Sequence, residues 1–238
     1  MALWKPKREL LRLAKPFIIR ASDGMPGMPN PLHQLLPLPG SADYQTPGTY
    51  QFTTVPYLTS FTLQLWGGSG GGSGFIPFSE SGDVSRTLRG GSGTLSQVTF
   101  GNGLPALVAN PGTGGYGTTN MVGHQGQQGE GGTAAGGTQV NQAGNGGAFT
   151  YAGAGNAFGW CQGGQGGGYS NQGYQFNAGG GGAGAYVQST FNFAQLPDLV
   201  VITIVVGSGG TATQGGGASS QNRIATAGNG GRAILTWS

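Results

Sequence analysis

From residue 49 onward, apolar and polar positions alternate in short runs separated by glycine. The clearest are "TYQFTTV" at 49–55, "FTLQLW" at 61–66, "TLSQVTF" at 94–100, "AYVQSTFNF" at 185–193, "LVVITIVV" at 199–206 and "RAILTW" at 232–237. A period of two is the mark of a strand with one face on a core. In the second run Phe61, Leu63 and Leu65 share one face, and Thr62 and Gln64 share the other. No long helical period interrupts this region, so the expected fold class is all-β, with a β-sandwich or jelly-roll-like core. The strands cluster at the two ends of residues 46–238. The ends must therefore meet in space, and the first and last runs, 49–55 and 232–237, are expected to pair.

Between them, residues 101–184 hold thirty glycines and a single charged residue, Glu130. On pattern alone this stretch emerges from the core as long glycine-rich loops. Disordered linkers, however, are rich in Glu and Lys, whereas the residues between these glycines are Asn, Gln, Thr, Ala and aromatics. An ordered alternative is the left-handed threefold helix of polyproline II, rising about 3.1 Å per residue. Without side chains, several such polyglycine helices can approach closely enough to exchange peptide hydrogen bonds. That lattice would offset the large backbone entropy that glycine loses on ordering. Collagen's strict Gly-X-Y period is absent from "GGQGGGYSNQGYQFNAGGGGAG".

The first 45 residues differ. In residues 1–24, Trp4, Leu11, Phe17 and Ile18 recur at roughly helical spacing among Lys5, Lys7, Arg8, Arg12 and Lys15, with Pro16 ending the pattern. This segment is expected to be a short amphipathic helix or an extended arm, and "FIIR" reads as a strand. Such a segment can lie on a membrane surface, imitate a targeting peptide or dock on a partner; docking as an anchor is favoured. Residues 25–45 begin with "MPGMPNPLHQLLPLPG", whose prolines favour a stiff extended spacer over a ligand for another domain. The expected organisation is thus an anchor at 1–24, a spacer at 25–45 and a glycine-rich β domain at 46–238.

Composition narrows the chemistry. Fifty-three glycines and thirteen prolines would ordinarily mean disorder, but 36% hydrophobic and only 7% charged residues leave apolar surface to bury. The net charge of +3 comes from the N-terminus: Lys5, Lys7, Arg8, Arg12, Lys15 and Arg20 precede only Arg86, Arg89, Arg223 and Arg232. The body offers no extended basic face, so nucleic acid is not an expected partner, and one "RGG" at 89–91 is too little for an RNA-binding arm. No apolar run reaches the roughly 20 residues of a membrane span. "GSGGTA" at 207–212 follows a strand but precedes no helix, and no lysine stands near a glycine-rich turn, against dinucleotide and P-loop sites. Cys161, with His33 and His124 as the chain's histidines, makes neither a disulfide framework nor a protein-only zinc site. Cys161 and His124 lack a nucleophile motif. No enzyme activity, cofactor or metal is expected.

Four stretches, "TPGTYQFTTVPYLTSFTLQLWGGSGGGSG", "GGGGAGAYVQSTFNF", "VVITIVVGSGGTATQGGGASS" and "AGNGGRAILTWS", together resemble the glycine-rich domain at the ends of tail fibres, adhesins and other virion proteins of tailed bacteriophages. The likeness covers about residues 46–238 and rests on the opening strand, Trp66 before glycines, and the closing strand with Trp237. "FSESGDVSRTLRG" at 78–90 is more charged than that pattern. The resemblance implies a non-enzymatic virion structural protein: a tail fibre, tail tip or other appendage, or a head-attached fibre or decoration protein. Other virion proteins would hold residues 1–40, with Trp4, Lys5, Lys7, Arg8, Leu11, Arg12, Lys15, Phe17 and Ile18 as anchor residues. The alternative is an adhesin that recognises a bacterial surface saccharide or outer-membrane protein. Its candidate contacts are Tyr116, Tyr151, Phe158, Trp160, Tyr169 and Tyr174, aromatics able to stack on sugars or simply to pack. A homo-oligomer stays open, as does a polymerising matrix protein.

Overall fold

A computed structural model describes residues 17–18, 36–37, 39–54, 59–74, 89–117, 127–147, 160–171, 174–192, 195, 200–213, 222–223 and 225–238. Its strands are β1 Phe17–Ile18, β2 Leu36–Pro37, β3 Gly40–Tyr44, β4 Gly48–Thr53, β5 Ser60–Trp66, β6 Ser96–Phe100, β7 Leu107–Ala109, β8 Ala134–Ala135, β9 Val140–Gln142, β10 Gly168–Asn171, β11 Tyr174–Asn177, β12 Tyr186–Asn192, β13 Val201–Val206, β14 Asn222–Arg223 and β15 Arg232–Trp237. The described residues are all-β. Two antiparallel five-stranded sheets carry the core, in the orders β3-β15-β5-β12-β9 and β4-β13-β6-β7-β8.

The sheets pack face to face because each strand alternates. Phe61, Leu63, Leu65, Val187 and Leu235 from the first sheet, and Val98, Leu107, Ile202 and Ile204 from the second, form one buried cluster. Ring pairs cross the gap, Phe52 to Phe61 tilted at 5.7 Å and Phe100 to Phe191 edge-on at 5.1 Å. Each fully buried Leu or Ile contributes roughly 1.5–3 kcal/mol relative to exposure.

The six expected strands are present within one or two residues of their expected ends. Two expectations change. The runs at 49–55 and 232–237 do not hydrogen-bond: β4 pairs with β13, and β15 with β3 and β5. They meet instead across the sandwich, through the Phe52 and Trp237 rings 5.1 Å apart. Secondly, residues 40–44, assigned to the spacer, form edge strand β3, with Ala42 and Tyr44 packed on the core. Alternation was already present in "SADY", but its small and polar members hid it.

Among the described residues the glycine stretches are not loops. We label them g1 (67–74), g2 (89–95), g3 (110–117), g4 (127–133), g5 (143–147), g6 (160–167), g7 (178–185), g8 (207–213) and g9 (225–231). In g1 the amides of Gly67, Gly70 and Ser73 donate to g7, those of Gly68 and Gly71 to g2, and those of Ser69 and Gly72 to g9. Its carbonyls repeat every three residues too: Gly68 and Gly71 accept from g3, Ser69 and Gly72 from g8, Gly70 and Ser73 from g6. A repeat of three with every bond made to a neighbour, and none within the segment, is the polyglycine II pattern. Segment g1 is the centre of a hexagon formed by g2, g3, g7, g6, g9 and g8. The lattice thus extends outside residues 101–184, to g1, g2, g8 and g9.

The lattice is a continuation of the sandwich. Strands β15, β5, β12 and β9 join g9, g1, g7 and g5, and β13, β6, β7 and β8 join g8, g2, g3 and g4; hydrogen-bonded neighbours in each sheet remain neighbours in each row. Stacked sheets lie about 10 Å apart because side chains fill the gap. In the lattice the two rows bond directly, as when Gly112 of g3 donates to Gly68 of g1 at 3.0 Å. Only a chain without side chains permits that convergence, which is why glycine begins immediately after Trp66.

Candidate functional site

Strand direction assigns the molecule two poles. Strand β5 runs into g1, and β3 lies antiparallel to β15 with Gly40 opposite Trp237 and Tyr44 opposite Ala233. Gly40 and Trp237 therefore lie at the end of the sandwich remote from the lattice. At the other end, g1, g3, g6 and g8 run outward, and g2, g7 and g9 run back. Six residues of g1, at about 3.1 Å each, set the outer end of the described lattice, called the tip from here on, roughly 19 Å beyond the sandwich. Interior segments g1 and g7 are buried throughout, whereas peripheral g4 buries Gly129 and Gly132 and exposes Gln127, Glu130 and Thr133. One side chain in three thus faces solvent on a rigid frame.

The candidate aromatics separate along this axis. Tyr116 lies at the tip: its amide donates to Gln127, its carbonyl accepts from Gly179, and the guanidinium of Arg89 stands over its ring at 4.5 Å. Tyr169 and Tyr174 belong to the β10–β11 hairpin, which follows g6 and precedes g7 at the same end; Tyr169 is registered with Phe176, and Tyr174 with Asn171. Trp160 lies at the opposite end of the lattice, at its junction with the sandwich. Its indole N–H donates to Gly230 O at 3.1 Å, and Arg232 covers its ring at 4.6 Å. Trp66 and Tyr186, with ring centroids 4.8 Å apart, pack in the same cluster with Cys161. The structure therefore does not bring Trp160 together with Tyr116. Tyr151 and Phe158 lie outside the described residues, as do Trp4, Lys5, Lys7, Arg8, Leu11, Arg12 and Lys15. Phe17 and Ile18 are the two residues of β1, registered with Pro37 and Leu36.

Arg89 and Arg232 were not singled out as site residues from the sequence. The available signal was their rarity, since each is one of few cations after residue 20 and each flanks a glycine run. Both spread a guanidinium over an aromatic where the lattice ends, a contact worth about 0.5–1 kcal/mol when exposed. Arg232 also makes two hydrogen bonds to the Asp43 carboxylate, at 2.9 and 2.6 Å, tying β15 to β3. The Arg232 hydrogen bond holds the Asp43 carboxyl below its ordinary range, with burial opposing it and Gln45 assisting.

The chain matches no protein-family model and no curated protein sequence.

Cys161 is fully buried, and burial pushes its thiol far up, away from the thiolate that a nucleophile requires. Among the described residues no cluster of His, Cys, Asp and Glu could hold a metal, and no helix is long and apolar enough to cross a membrane. The arrangement offers a stiff support with polar side chains, amides and an arginine-capped tyrosine at its tip.

Proposed function

We propose that this chain is a non-enzymatic virion structural protein of a tailed bacteriophage, held by residues 1 to about 40 and displaying its lattice tip outward. The observation that supports this reading is polarity: β3, the first strand of the two five-stranded sheets, begins at Gly40, at the pole opposite the tip. A sandwich about 20 Å long and a lattice of similar length separate an attachment at that pole from the tip by about 40 Å. The sequence resemblance supplies the particle. Deleting residues 1–24 should leave the body folded, by circular dichroism and melting, yet abolish incorporation into particles. Normal incorporation of that truncation would overturn the anchor.

Recognition of a bacterial surface receptor by the tip is the second reading, favoured by the place of Tyr116 and of the β10–β11 hairpin. Tyr116→Ala should then reduce adsorption to host cells while leaving particle assembly intact. Trp160→Ala should lower stability through the junction without a specific loss of adsorption.

A further inference from the structure

The two sheets of the sandwich have edges that differ in how they are protected. β8 and β9 are only 2 and 3 residues long. β3 carries the charged Asp43, held by Arg232. β4 has 6 residues with neither charge nor proline, and among the described residues it pairs on one side only, with β13. Short length, charge and proline are the devices that normally keep sheet edges from pairing with another chain, and β4 has none of them.

Its free groups can be assigned. Thr54 N donates to Val200 O at 2.9 Å, so the antiparallel alternation turns the peptide groups of Phe52 and Tyr50 toward β13. The N–H and C=O groups of Thr49, Gln51 and Thr53 then point outward. The side chains of Thr49, Gln51 and Thr53 are exposed, whereas Tyr50 and Phe52 are half-buried against the core. Read in either direction from Gln51, the strand is the same in kind: an aromatic, then a threonine.

We propose that β4 pairs antiparallel with β4 of a second copy about a two-fold axis at Gln51. Thr49 of each copy then lies opposite Thr53 of the other, Gln51 opposite Gln51, and Tyr50 opposite Phe52. Thr–Thr and aromatic–aromatic neighbours are favourable cross-strand pairs. Two-fold pairing of one patch with itself is the commonest closed form of a soluble assembly. β4 runs from the lattice junction, where Gly48 faces Val206, toward the remote pole, where Thr53 faces Val201. The two tips therefore point in opposite directions. The dimer is a state of the free chain, and its loss would leave the display reading untouched.

The test uses the full chain in solution. Sedimentation should show a dimer, and Gln51→Lys, which sets like charges opposite each other on an exposed position, should weaken it at least about tenfold with unchanged circular dichroism. Directly opposed Cα atoms lie about 5.5 Å apart, so Gln51→Cys should cross-link to itself under mild oxidation. Thr49→Cys alone should not, but a mixture of Thr49→Cys and Thr53→Cys chains should. A monomer at every concentration, a trimer, indifference to Gln51→Lys, or cross-linking of Thr49→Cys as readily as Gln51→Cys would each overturn the proposal.

Discussion

The amide of Gly70 donates to the carbonyl of Gly182 at 2.9 Å, while Gly181, one residue earlier in g7, packs against the carbonyl of Gly70 itself. A Cβ on Gly181 would overlap that backbone oxygen, well inside the 3.0 Å below which real Cβ atoms essentially never come. A carbonyl fixed in a lattice cannot rotate away as a flexible side chain could. Gly181→Ala should therefore force g7 and g1 apart and lower stability by about 1–3 kcal/mol. Gly146, at the periphery, offers the control: a Cβ there meets its nearest atom, Gly129 O, at 3.5 Å, an ordinary contact. Gly146→Ala should be neutral or stabilise by up to about 1 kcal/mol, because it removes freedom from the unfolded chain. Equal effects of the two substitutions on melting would count against the lattice.

Cys161 reports on lattice opening. It is the second residue of g6 and has a positive φ of 60°, its Sγ donates to Gly230 O at 3.5 Å, and no solvent reaches it. Its thiol should resist a thiol reagent in the native protein and react at once in denaturant. Labelling that proceeds in native buffer at the rate of a free thiol would show that g6 is not held against g9.

The Asp43–Arg232 pair sets a small acid dependence. The Asp43 carboxyl is held below its unfolded value by Arg232, so the stability it contributes is present above that unfolded value, near pH 4, and is lost as pH falls through the lower folded value. The pair is partly exposed, with side chains 22% and 38% accessible, so solvent screening keeps its contribution below about 1 kcal/mol. Asp43→Asn should lower the melting temperature slightly at pH 7 and flatten its decline below about pH 4. A decline as steep as in the original chain would remove Asp43 from the acid response.

Much of the sandwich could be read from the chain because alternation is local. Phe61, Leu63 and Leu65 declare an inward face without knowledge of any partner, and the same holds for Ile202 and Ile204. Short β7, β8 and β9 carry too few residues for a period to register, and β3 is masked by Gly40, Ser41 and Asp43. Tyr116 and Trp160 looked equivalent as aromatics within glycine, and only the direction of their segments placed one at the tip and the other at the junction. The composition determined that a backbone lattice was available, since glycines supply peptide groups with nothing to hold neighbours apart. It could not determine the partners. A glycine has no side chain with which to encode a face, so the bond from Gly70 to Gly182 is set by the pairing of β5 with β12, whose register the glycines inherit. The sequence by itself thus determined where side chains stop, and the tertiary structure decided which peptide meets which.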